Sequence, residues 1–326
     1  MRQDPPSTKS RRRLIGIAIR VVAVTLVLIW LFKGKQIEAL GSALALIAPW
    51  SIAVGLGLAM MNMYLAAIRW RVLMHTFGAA TTPATRRLLK LFLMGHFYNT
   101  FIPGAVGGDV IRAYCSRACF EASAGSYVVV ASERIIGLAA LGVIFSIGYI
   151  SQPELIPIQH ALWWAVGLGA LCVGMAVSGP IARRLARWWS ALPRIRSPRG
   201  LSWAFAISLL GHASTVVIFI ALADALVPQV QWSTLALIVP LSLLASIVPI
   251  AILGIGPREA AMVGLLSLIG VSQADALALS LSFAAILIFV AIVGGLVHLI
   301  EGEKLTAALT DGSGTSRSSD EDPLQD

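Results

Sequence analysis

HFYNTFIPGAVGGDVIRAY, residues 96–114, is a polar, glycine-rich interruption in a chain that is otherwise strongly apolar. Pro103 lacks a backbone donor and blocks a continuous helix, while Gly104, Gly107 and Gly108 admit turns that Cβ-bearing residues resist. Asp109 and Arg112 follow directly, and at the centre of a bilayer each costs about 2.5–3.5 kcal/mol on insertion scales unless paired or hydrated. Non-helical backbone survives at that depth only where protein buries it or where it lines a wet cavity. The stretch therefore reads as a break within the membrane that serves something polar. The competing reading is a cytoplasmic loop just outside the bilayer, where glycine and charge need no special account.

The rest of the chain supports a membrane setting. Its 326 residues are 57% hydrophobic and only 13% charged, with a mean hydropathy of +0.83, whereas soluble domains carry about 25% charged residues. At about 20 residues per span the apolar material suffices for roughly seven to nine crossings or partial crossings. The net charge of +9 does not point to nucleic acid, because the basic residues fall in short clusters between apolar segments, as topology signals do. Cys115, Cys119 and Cys172 form no disulfide framework. Cys115 and Cys119 would share a helical face, but without a second ligand pair they read as small packing residues, and no metal or other cofactor is expected.

Residues 1–13 are basic and read as a cytoplasmic amino terminus, followed by a first span from Leu14 to Phe32. Lys33 to Pro49 repeats its apolar residues at helical spacing outside the membrane. Ser51 to Ile68 returns inward and lands on Arg69 and Arg71, and Arg86, Arg87 and Lys90 lead into the opening stretch. Ala122 to Ile150 is a long apolar helix carrying Glu133 and Arg134. Neighbours on a helix point about 100° apart, so these two need partners elsewhere, with Asp109 and Arg112 nearest in sequence. A position for both at the headgroup level is the alternative. Leu162 to Ser178 crosses back to a loop with six arginines between Arg183 and Arg199, which either grips anionic headgroups or only sets orientation. Trp203 to Leu226 exits with His212 in mid-span, a residue type that usually hydrogen-bonds between helices. Ser233 to Ile269 is interrupted by Pro240, Pro249, Gly254, Gly256 and Pro257, just before Arg258 and Glu259. Ala276 to Ile300 is a last span, and residues 301–326 form a tail without periodicity, expected to be disordered.

If Leu88 to Tyr114 crossed fully, the six-arginine loop would fall outside, against the positive-inside bias. A segment that dips in and returns to the cytoplasmic side restores each loop, and a second such segment around Pro249 to Glu259, entered from outside, leaves both termini cytoplasmic. The expected fold is an all-α, polytopic helical membrane protein with a membrane domain over 14–300 and two inverted halves, each with an interrupted re-entrant segment. Paired interruptions of this kind point to an inverted-repeat transporter with its site near the midplane. Helices starting after Gly108 and Pro257 would aim positive dipole ends at an anionic group, with Arg112 and Arg258 as charge partners.

FYNTFIPGAVGGDVIRAY, then SERIIGL from Ser132 to Leu138, then VPIAILGIGPREAAM from Val248 to Met262 resemble, in this order, the hallmarks of the lysylphosphatidylglycerol synthase transmembrane region family of flippase-like membrane proteins. The resemblance covers roughly residues 15–300. In the multiple peptide resistance factor such a region is joined to an aminoacyl transferase domain that makes the lipid the membrane region flips. Residues after Ile300 are too few for that domain, so synthase activity is not expected to carry over. The resemblance implies that Asn99, Asp109, Arg112, Glu133, Arg134, Arg258 and Glu259 line the pathway.

The expected function is movement of an anionic or aminoacylated phospholipid, or a lipid-linked precursor, between leaflets of the inner membrane. Arg112 and Arg258 would bind phosphate, and Asp109, Glu133 and Glu259 would orient them or meet a cationic headgroup. No ATP-binding loop is present, so energy would come from an ion gradient, the membrane potential or the lipid gradient. Two alternatives remain open: an integral membrane enzyme acting on a lipid, and an accessory subunit of a separate lipid or glycosyl transferase. HExxH and GxSxG motifs are missing and the five histidines are scattered, which disfavours the first alternative.

Overall fold

The computed structural model describes residues 42, 44–101, 107–121, 124–155, 196–246 and 256–310. Within them all regular structure is helical. Helix α1 spans Pro49–Thr76, α2 Thr85–Phe101, α3 Gly107–Ser116, α4 Ala124–Ser151, α5 Pro198–Leu226, α6 Trp232–Ala245, α7 Pro257–Ser267 and α8 Gln273–Thr310. Four of them, α1, α4, α5 and α8, are long and apolar enough to cross a membrane. The other four are short: 17 and 10 residues for α2 and α3, 14 and 11 for α6 and α7. At 1.5 Å per residue the three shortest fall well below the roughly 30 Å of a hydrocarbon core. Each half of the described chain is thus a long helix, a pair of short ones and a second long helix.

Several starts follow from local chemistry. Proline opens α1, α5 and α7, where its missing N–H is no loss and its fixed φ suits the first turn. Helix α1 stops at Gly78, whose φ of +74° favours glycine, while Ala79 N–H reaches back to the Met74 carbonyl at 2.9 Å. That stop lies ten residues beyond the expected landing at Ile68, so Arg69 is carried inside the helix. Pro240 was expected to interrupt its segment, but α6 runs straight through it. A membrane helix tolerates proline where neighbouring groups satisfy the freed carbonyl. Helix α8 also continues to Thr310, into a stretch whose composition suggested no regular structure.

The ends of the helices are tied to one another. Ala80 N–H donates to the Cys119 carbonyl at 2.8 Å, so the chain leaving α3 comes back beside the chain entering α2. Arg196 N–H donates to the Thr76 carbonyl at 2.8 Å, joining the start of α5 to the end of α1. Lys90 pairs with Glu301, bringing the far part of α8 to the same end of the bundle. At the other end Gln152, just after α4, donates to Gln231 at 2.9 Å and Ser233 at 3.2 Å at the start of α6. Leu155, Leu237, Ile238, Leu265, Leu268 and Ile269 line one crevice there, so the end of α7 packs against the middle of α6. The short helices form two hairpins, α2 with α3 and α6 with α7.

The largest packing interfaces join α1 to α5, α2 to α8 and α4 to α6. Each hairpin therefore lies against the closing long helix of the other half. Small residues let the backbones approach: a Cβ on Gly108 would overlap the Gly95 carbonyl, one on Gly294 the Leu93 carbonyl, and one on Gly148 the backbone of Leu237. The main core, around Phe219, Leu222, Leu235, Met262, Leu279 and Val290, holds α5, α6, α7 and α8 together. A second cluster around Trp70, Leu73, Leu88, Phe92 and Val129 seats the first hairpin on α1 and α4. Cys115 and Cys119 are both buried.

The first 41 residues, the break residues Pro103, Gly104, Pro249 and Gly254, the expected span from Leu162 to Ser178 and most of the six-arginine loop lie outside the described residues.

Candidate functional site

Asp109 and Arg112 sit one turn apart in α3, which starts where glycine allows the close crossing with α2. The α3 start is held from α2 itself: Asn99 Oδ1 accepts the Gly108 N–H at 2.8 Å. Asn99 therefore acts as a cap supplied by a neighbouring helix, satisfying a donor that the first turn leaves free.

From α3 the charges link outward to α4, α1 and α5. Arg112 pairs with Asp109 through one nitrogen and donates to Glu133 Oε2 on α4 at 3.2 Å through another. Arg134 clasps Asp109 Oδ2, with Nε at 3.0 Å and Nη2 closer. Glu133 receives a second guanidinium from Arg69 on α1, which also donates to Ser208 Oγ on α5 at 2.8 Å. The Arg112 guanidinium lies over the rings of Phe92 and Trp70, with centroids at 4.0 and 4.8 Å, so cation–π attraction adds to the ion pairs. Both oxygens of each carboxylate are engaged by arginine. Three guanidinium groups face two carboxylates, which leaves one positive charge in surplus.

Burial separates the members. The side chains of Arg112, Asp109 and Glu133 are 7%, 9% and 6% exposed, whereas that of Arg134 is 59% exposed. A buried ionic cluster is tolerable only when each charge has partners, since desolvation otherwise costs several kcal/mol per ion. The adjacent pair Glu133 and Arg134 does divide its partners as the helix geometry requires, one turning to Arg69 and Arg112, the other to Asp109.

The second hairpin behaves differently. Gly256, at φ +145°, precedes Pro257 at the start of α7, and Glu259 Oε2 accepts the Gly256 N–H at 2.6 Å. The other oxygen accepts Arg258 Nε at 2.9 Å and the Ser280 hydroxyl of α8 at 3.4 Å. Arg258 also lies over Phe283, with the ring centroid at 5.0 Å. Here two sequence neighbours do pair, because at a helix start the Glu259 side chain folds back over the first turn and meets Arg258 there. The pair is neutral, fully buried, and forms its own network apart from the first.

Of the seven residues singled out in the sequence, Asp109, Arg112, Glu133 and Arg134 are thus gathered in one network, Arg258 with Glu259 in another, and Asn99 caps α3 beside the first. The structure adds Arg69 and Ser208 to the first. It also adds a polar seam between α1 and α5, where Ser214 donates to Asn62 at 2.7 Å and Asn62 donates to Thr215 at 3.3 Å. Arg69 was open to discovery through the glycine stop signal, which extends α1 past it; Ser208 carries no signal in an isolated sequence. Among the described residues no group of histidine, cysteine and carboxylate side chains could hold a metal ion.

A family model described as "Lysylphosphatidylglycerol synthase TM region" matches residues 17–295. A "UPF0104 membrane protein" of Methanothermobacter thermautotrophicus is 32% identical over 109 residues, which is 33% of this chain and 30% of that protein. The chain thus spans about a third of the length of that relative.

Proposed function

The chain belongs to the lysylphosphatidylglycerol synthase transmembrane region family, and on that premise we propose that it moves a phospholipid or lipid-linked molecule between the leaflets of a cell membrane. The observation that carries the reading is the network of Arg69, Asp109, Arg112, Glu133 and Arg134, all but Arg134 largely buried, beside a short hairpin among long apolar helices. Charges at that depth are costly and rarely kept without a polar task.

The architecture supports transport. In this reading both hairpins are re-entrant: the first enters and leaves at the end carrying Arg71, Arg86, Arg87, Arg117 and Arg199, and the second at the opposite end. The positive-inside bias makes the basic end cytoplasmic. The two halves are then inverted copies in layout, related by an axis in the membrane plane, as in other transporters built from inverted repeats. A headgroup would travel along the polar interior while acyl chains stay in lipid. Rocking of one hairpin against the long helix it leans on would expose the network to each side in turn.

Reconstituted vesicles with headgroup-labelled lipids test this. Transbilayer movement of intact lipid by the wild-type chain, abolished in Asp109→Asn and Arg112→Ala proteins that still insert, is the expected result. Chemical conversion of the lipid would instead make the chain an enzyme, and neither movement nor conversion would leave it a subunit of another machine.

A further inference from the structure

We infer that the lipid this site receives is anionic, taken by its phosphate, and that Arg134 is the residue that first receives it, releasing Asp109 as it does so. The inference rests on the translocation reading for its setting but on separate observations for its content. The first is the charge count: three guanidinium groups against two carboxylates leave the network one positive charge in excess. A cationic headgroup would enter a site already positive, whereas a phosphate completes its neutralisation.

The second is saturation. A cationic headgroup would have to compete for carboxylate oxygens that arginine already holds: Asp109 gives one oxygen to Arg112 and one to Arg134, and Glu133 gives one to Arg112 and one to Arg69. Glu259 is equally committed, to the Gly256 amide and to Arg258. The third is access. Arg112 and Arg258, the arginines expected to meet phosphate, are covered and stacked on aromatic rings. Arg134 alone in the first network is mostly exposed. On α4 it lies one turn before exposed Leu138 and next to exposed Ile135, and α3 exposes Val110 beside Asp109. An apolar flank beside a reachable guanidinium fits a headgroup with acyl chains attached.

The exchange has a natural driving force. A phosphate can accept both Nε–H and Nη–H of Arg134 in the forked geometry that Asp109 now occupies. Asp109 keeps Arg112 as its partner when Arg134 leaves, so no charge is stranded. The incoming anion thereby loosens the link between Asp109 of the hairpin and Arg134 of α4, while the described tie from Arg112 to Glu133 stays.

The test is lipid association in vesicles of phosphatidylcholine holding the full chain and a trace of spin-labelled lipid, read as the motionally restricted fraction. Phosphatidylglycerol should associate more strongly than phosphatidylcholine, and lysylphosphatidylglycerol, with its net positive charge, least. Arg134→Gln should lower the preference for phosphatidylglycerol about fivefold, and Arg134→Lys should keep most of it. Arg86→Gln, at an exposed basic position outside the network, should change it far less. Equal association of the three lipids, strongest association of lysylphosphatidylglycerol, or an Arg134→Gln protein no different from wild type would overturn the inference. Displacement of the labelled lipid by soluble glycerol phosphate as effectively as by unlabelled phosphatidylglycerol would reassign the site to a soluble phosphate ester. Because association is read without any flip, selectivity with no transbilayer movement refutes translocation alone, and movement with no selectivity refutes the headgroup assignment alone.

Discussion

Arg69 joins two pieces of the network that the sequence keeps far apart. It binds Glu133 on one side and Ser208 on the other. Removing Arg69 takes away a charge partner and a hydroxyl contact together, although Glu133 keeps Arg112, whereas loss of a hydroxyl bonded to a charged group costs about 1.5–3 kcal/mol by itself. Thermal unfolding in detergent should therefore show a greater loss of stability for Arg69→Met than for Ser208→Ala; equal losses would mean that Arg112 alone suffices to hold Glu133. The partnership of Glu133 and Arg134 with Asp109 and Arg112 was legible because helix geometry forbids the neighbours from satisfying each other. Arg69 was not, since an arginine at the edge of an apolar run looks like a membrane boundary until Gly78 is recognised as the helix stop. The roles of Arg112 and Arg258 were only half legible: their types and positions read as anion sites, but their burial against Asp109 and Glu259 depends on side-chain directions that spacing does not give.

At the scale of elements, glycine decides which helices can touch. Alanine at Gly108 would drive a methyl into the Gly95 carbonyl, and backbone cannot step aside as a side chain can. We expect Gly108→Ala to cost about 1–3 kcal/mol and to part α2 from α3, seen as a lower unfolding temperature and a newly reactive Cys115. Gly264, with nothing within 4 Å of its Cβ position, is the contrast; Gly264→Ala should leave stability unchanged or raise it by up to about 1 kcal/mol through helix propensity. Glycine-rich breaks before α3 and α7 were visible in the sequence, because a helix start after such a break needs backbone freedom. Pro240 misled for the opposite reason. Proline marks a stop in water, but in a packed membrane bundle the freed carbonyl finds other partners, so α6 continues through it.

At the scale of the whole molecule, the layout makes a directional forecast. In a protein lacking its native cysteines, single cysteines at Thr82 and Glu121 should be labelled by a membrane-impermeant reagent from one compartment, and those at Gln152 and Trp232 from the other. Labelling of all four from one side would undo the opposed-hairpin arrangement. The overall class, a polytopic all-helical membrane protein, was legible from hydropathy alone. The packing partners were not legible: nothing in a hydrophobic pattern says that α2 should lean on α8 or α6 on α4.

That reciprocal leaning has a bearing on how the chain is born. While the ribosome is still making α5 and α6, the hairpin of α2 and α3 has no α8 to rest against, a wait of roughly ten seconds or more at ordinary elongation rates. During it the Leu93 backbone that will later receive Gly294 faces only lipid or an insertion chaperone. Neither half can finish without the other, so a nascent chain cut short after α4 should be an orphan for quality control, while two fragments parted between α4 and α5 and made in one cell should still clasp and complete each other.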